Sequence, residues 1–131
     1  MDNRYYEGVG RRKESTARVR IMQGEGTFIV NEKEIEGYFT RLGDASEILK
    51  AFPIVSHTRE QYNVTVLVSG GGVTGQRDAV KLGLARALVK MDEELRPPLR
   101  HSGYLTRDPR VKERKKPGLK RARKAPTYTK R

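Results

Sequence analysis

The chain has 131 residues and a mass of 14.9 kDa, and its 28 Lys and Arg against 16 Asp and Glu give a net charge of +12. At 34% charged and 35% apolar residues, it has room for one small domain and too little apolar content to pack every segment. The absence of cysteine excludes disulfide scaffolds and thiol chemistry, and no stretch approaches the roughly 18–20 apolar residues that span a bilayer.

Tyr5, Tyr6 and Val9 predict a short strand interrupted by Gly8 and Gly10. Residues 17–23 alternate, with Val19 and Ile21 on one face and Arg18 and Arg20 on the other, the period of a half-buried strand. Gly24-Glu25-Gly26 reads as a turn and residues 27–30 as its returning strand, so 17–30 is expected to form a hairpin. Asn31 with Glu34, and Asp44 with Glu47, have capping-box spacing. Each is expected to open a short helix, the first through Tyr38 and Phe39, the second through Ile48, Leu49 and Phe52 until Pro53 stops it. Tyr62, Val64, Val66 and Val68 mark the clearest strand. Beyond it, Val80, Leu84, Ala87, Leu88, Met91 and Leu95 fall on one helical stripe, with a weaker apolar line at Leu82, Ala85 and Val89. Pro97-Pro98 should end any helix. The expected fold is α+β: a small, mostly antiparallel sheet of about four strands with helices packed on one face.

Composition breaks near residue 96. Residues 1–95 carry 14 basic and 14 acidic residues, whereas residues 96–131 carry 14 basic residues against Asp108 and Glu113 alone. The whole excess charge therefore lies in the last 36 residues, and only eight of these are apolar. Ordering a residue costs on the order of 1–2 kcal/mol, which so few scattered apolar groups do not offset. The expected organisation is a globular RNA-binding domain over 1–95 and an extended basic tail over 96–131 that orders only on RNA. A polyanionic partner follows from the charge. The Met1-Asp2-Asn3-Arg4 start precedes no apolar run, so no signal peptide is expected and the chain reads as intracellular.

Gly70-Gly71-Gly72-Val73-Thr74-Gly75 spells GxGxxG between a strand and a helix. The acidic residues about 20 positions on, Asp92 to Glu94, share that helix instead of ending a second strand, and Gln76-Arg77 fails the Walker A requirement. Two readings stay open: a tight turn in which glycines supply positive φ, or a helix start meeting an RNA phosphate with Arg77 beside it. His57 and His101 share no local motif with a nucleophile or carboxylate, so no catalytic residue, metal or cofactor is expected. Arg11, Arg12 and Lys13, with Arg18 and Arg20 on the next strand, offer a basic surface suited to phosphates. The tail adds Arg107, Arg110, Lys112, Arg114, Lys115, Lys116, Lys120, Arg121, Arg123 and Lys124. Glycine and proline punctuate these cations, and Tyr104 and Tyr128 add aromatic surface for stacking on bases. A small nucleotide-binding enzyme using Gly70–Gly75 is the alternative. A peripheral membrane protein fails for want of an apolar face on the tail.

The chain resembles the bacterial small-subunit ribosomal protein nine family over essentially its full length. The matching stretches are GVGRRKESTARV from Gly8, GTFIVN from Gly26, SGGGVTGQ from Ser69, GLARAL from Gly83, GYLTRDPR from Gly103, ERKK from Glu113 and the closing YTKR from Tyr128. The resemblance implies a noncatalytic protein of the cytoplasmic ribosome, seated on small-subunit ribosomal RNA in the head beside neighbouring ribosomal proteins. It also implies a tail reaching the anticodon stem-loop of the peptidyl-site tRNA, where Tyr128, Thr129, Lys130 and Arg131 are the matching positions. Thr129 stands where many relatives have serine, and the hydroxyl is kept.

Overall fold

The computed structural model describes residues 4–105. Five strands form one sheet in the order β1-β2-β5-β3-β4: β1 Tyr6–Arg12, β2 Ser15–Gln23, β3 Phe28–Val30, β4 Lys33–Glu34 and β5 Tyr62–Ser69. Every pairing is antiparallel except β3 with β5. Three short helices, α1 Ile35–Tyr38, α2 Asp44–Leu49 and α3 Ala51–Ile54, connect β4 to β5, and this long crossover is what lets β3 and β5 run parallel. The long helix α4, Val73–Met91, lies across β1 and β2, and a short helix α5 spans Arg96–His101.

The alternation of β2 and β5 is realised as read. Ala17, Val19, Ile21, Tyr62, Val64, Val66 and Val68 are buried, while Arg18, Arg20, Thr65 and Leu67 are exposed. The helices therefore pack on one face, and the other face of the sheet is open among the described residues. Phe52 of α3 meets Phe28 edge-on at 6.5 Å and stacks on Tyr62 at 5.8 Å, closing the core beneath β3 and β5. On α4, Val80, Leu84, Ala87 and Leu88 are buried as the stripe requires. Leu82, Ala85 and Val89 are buried too, and α2 and α3 also pack on that helix.

Several local expectations are corrected. β1 is not interrupted by its glycines. Gly8 and Gly10 are its contact line with α4, where a Cβ would strike the carbonyl oxygens of Gly83 and Ala79 respectively. Residues 17–30 are not a hairpin, because β5 lies between β2 and β3. The intervening loop steps over the start of β5, held by Gly26 N–H donating to the Tyr62 carbonyl (2.8 Å) and by Asn63 Oδ1 accepting from Glu25 and Thr27 N–H.

Neither capping box forms. Asn31 occupies a turn at φ +48°, and its amide clamps β5 by donating to the Val68 carbonyl (2.8 Å) and accepting from Val68 N–H (3.0 Å). α2 starts after Gly43, with Asp44 buried instead of capping. Pro53 does not stop a helix but lies in the first turn of α3, where a missing N–H costs nothing.

Helical structure and buried side chains continue past residue 95. Pro97 and Pro98 likewise sit in the first turn of α5. Leu99 is wholly buried and Tyr104 is 6% exposed, so long-range packing orders residues whose local pattern showed no period.

Candidate nucleic-acid interface

β1 and β2 are joined by a two-residue turn, Lys13-Glu14, in which Lys13 adopts φ +57°. This turn packs on the loop between β5 and α4. Ser15 Oγ, buried, donates to the Gly70 carbonyl at 2.9 Å, and a Cβ on Gly75 would meet that same Oγ at 2.8 Å. Gly70 and Gly71, at φ +82° and +63°, turn the chain from strand to helix, a conformation that side chains with a Cβ resist. Gly70, Gly71 and Gly75 thus serve a turn and a close approach, whereas Gly72 has an extended backbone and open space around it. Among the described residues no strand follows α4, so the βαβ unit of a dinucleotide site is absent.

The sequence-predicted cations separate into three states. Arg11 and Lys13 are exposed and have no partner among the described residues, so they present unneutralised charge at one end of the sheet. Arg18 and Arg20 stand on the open face of β2, and each Nε donates at 3.1 Å to a different oxygen of Glu7 on the neighbouring strand. Hydrogen bonds from Arg18 and then Arg20 hold the Glu7 carboxyl below its usual range, so the cluster stays two cations to one anion across ordinary pH. The Arg20 guanidinium also lies 4.8 Å from the centroid of the Tyr5 ring, which fixes it over an exposed aromatic.

Arg12 and Arg77 turn inward instead. Arg12 Nε donates to Asp78 at 3.3 Å. Arg77 donates to Asp78 (2.9 and 3.0 Å) and to Asp44 (3.2 Å), with its side chain only 25% exposed. Asp44, 2% exposed, also accepts two bonds from Arg41 at 2.8 and 3.1 Å. Burial works to raise the Asp44 pKa, but the hydrogen bonds and charges of Arg41 and Arg77 outweigh it and keep the carboxylate ionised below its ordinary range. Arg77 ties α4 to α2 through these bonds, with a quarter of its side chain left exposed. The sequence reading missed this network because Asp44 has the spacing of a cap, and only its burial reveals an ion-pair partner.

The tail positions from Arg107 to Lys124, and the end from Tyr128 to Arg131, lie outside the described residues. Within them there is no group of three or more His, Asp or Glu side chains that could hold a metal ion, and no helix is long and apolar enough to cross a membrane.

An open sheet face carrying two braced arginines, with Arg11 at the end of β1 and Lys13 in the following turn both unpaired among the described residues, gives this small α+β domain a basic surface patch. Residues 10–131 match the family described as ribosomal protein S9/S16. The small ribosomal subunit protein uS9 of Dehalococcoides mccartyi strain BAV1 is 54% identical over 129 residues, covering 98% of this chain and 97% of its own length. That of Synechocystis is 55% identical over 126 residues, covering 96% and 92%. The chain belongs to this family: it is a ribosomal protein of the uS9 type and not an enzyme.

Proposed function

We propose that this protein is a structural constituent of the small ribosomal subunit in the cytoplasm, seated on ribosomal RNA in the subunit head beside neighbouring ribosomal proteins. Arg11, Lys13, Arg18 and Arg20 supply the domain's phosphate contacts, which position without reading sequence. The cations from Arg107 to Lys124 neutralise further phosphates, and Tyr128, Thr129, Lys130 and Arg131 meet the anticodon stem-loop of the peptidyl-site tRNA. The observation that carries this reading is the segregation of charge: the entire +12 resides in the last 36 residues, after 95 residues in which charge balances. The names of the relatives, which are small-subunit proteins, support the assignment.

Binding of the full chain to small-subunit ribosomal RNA, measured against salt, tests it. With about half of the basic residues beyond residue 95 engaged, the logarithmic slope should be roughly −5 to −6. Replacing Arg107, Arg110, Lys112, Arg114, Lys115 and Lys116 by Gln should flatten it far more than replacing Arg11 and Lys13. Equal flattening would place the main electrostatic contact on the domain instead. Deleting Thr129–Arg131 should leave assembly intact and weaken peptidyl-site tRNA binding by about 1–2 kcal/mol, roughly five- to thirty-fold. Unchanged tRNA affinity would remove the tRNA contact from the reading.

A further inference from the structure

The segment from Arg96 to Leu105, read from sequence as the beginning of the tail, is built as a fixed mount. α5 ends in a Schellman motif: Gly103, at φ +88°, donates its N–H to the Arg100 carbonyl (3.1 Å), and Tyr104 donates its N–H to the Leu99 carbonyl (2.9 Å). The apolar pair that accompanies this motif is Leu99 with Tyr104, both buried.

Tyr104 is then held a second time by residues far away in sequence. Its hydroxyl donates to the Glu47 carbonyl of α2 at 2.7 Å, and Lys81 Nζ of α4 lies 4.6 Å from its ring centroid. Lys81 also pairs with the Glu47 carboxylate at 3.0 Å, which closes a three-residue clasp. Burial first, and the Glu47 carboxylate next, push the Tyr104 phenol up to about 12, so the hydroxyl keeps its proton to donate across ordinary pH.

We propose that Tyr104 is a positioning residue for the basic C-terminal segment. It fixes the point of departure of residues 106–131 on the helical face, on the side of the sheet opposite the open face of Arg18 and Arg20. Extended chain reaches at most roughly 3.3–3.6 Å per residue, so 26 residues released from a fixed point command a sphere of about 90 Å radius. Fixing the origin and initial direction removes much of the search within it, lowering the entropy lost on binding. The domain and the tail can then grip RNA from opposite faces. This inference rests on the RNA-binding reading above.

The chain lacks cysteine, so a single introduced thiol carries a unique iron chelate for hydroxyl-radical cleavage of RNA. Thr106→Cys reports where the tail leaves, and Ser69→Cys, exposed on the open face, reports the seat of the domain. Each is combined with Tyr104→Phe, which keeps the ring beneath Lys81, and with Tyr104→Ala, in assembled small subunits. Cleavage from Thr106→Cys should be focused with Tyr104 present, spread out in Tyr104→Ala, and have a peak roughly threefold weaker in Tyr104→Phe, the scale of one lost neutral hydrogen bond. Cleavage from Ser69→Cys should be the same in all three. A Thr106→Cys pattern as sharp in Tyr104→Ala as with tyrosine overturns the proposal. So does loss of both patterns together, which reduces Tyr104 to a prop for the domain. With Tyr104 intact, a focused Ser69→Cys pattern beside a diffuse one from Thr106→Cys also overturns it and leaves RNA binding standing. Focused cleavage from neither site would sink the RNA-binding reading itself.

Discussion

Leu99→Ala separates a packed residue from one on a solvated tail. Leu99 has no exposed surface, and its neighbours Leu95 and Tyr104 belong to the same core cluster. Truncation removes the buried methyl groups and leaves a cavity that the short α5 fills only in part, because its first turn is stiffened by two prolines and its last is closed by the Schellman bonds. Leu→Ala changes at fully buried sites cost about 2–5 kcal/mol, and the stiff surroundings put this one near 3 kcal/mol. For a domain of this size 1 kcal/mol moves Tm by about 4–8 °C, so a fall of about 12–24 °C is expected. Urea unfolding followed by far-ultraviolet circular dichroism should show a lower midpoint at unchanged m. Leu42, fully exposed between α1 and α2, provides the internal reference, since Leu42→Ala should stay within about 0.5 kcal/mol of the parent. If Leu99→Ala were as mild as Leu42→Ala, the domain would end before α5, and the Tyr104 mount would fall with it.

Gly10→Ala should destabilise by about 3 kcal/mol or more, since the new methyl strikes the backbone of α4 at Ala79 and no side chain can swing away. Gly37→Ala, in α1 with open space around it, should instead stabilise by roughly 0.4–1 kcal/mol, and thermal melts of the pair check both signs. Asp44→Asn should cost about 1–3 kcal/mol at pH 7 by weakening the charged bonds to Arg41 and Arg77. Because folding depresses the Asp44 pKa below its ordinary value of 3.8, that stabilisation is complete well above 3.8 and is lost as pH falls through the folded value. The stability gap between parent and Asp44→Asn should therefore narrow as pH falls below 3.8, and a gap that does not narrow there would contradict the ion-pair account.

Periodicity alone specified the two central strands and the long helix, because burial on one face imposes a period of 2 or 3.6 on any chain. Val19 and Ile21, then Tyr62, Val64, Val66 and Val68, and then Val80, Leu84, Ala87 and Leu88 are buried as that pattern demands. The charge asymmetry was equally legible, since a count of side chains needs no coordinates. Pairing was not. Nothing local says that β5 inserts between β2 and β3, because strand order depends on where the α1–α3 crossover returns the chain. The capping spacings at Asn31 and Asp44 were overridden when those side chains found partners at Val68, Arg41 and Arg77, and the same network pairs Arg77 with carboxylates. Gly8 and Gly10 read as breaks, yet only the approach of α4 explains why a strand there excludes a Cβ. The packing of residues beyond 95 was illegible for the same reason. Leu99 and Tyr104 are two isolated apolar residues along the chain, and their order comes from α2 and α4 in space: from Glu47, 57 positions before Tyr104, and from Lys81.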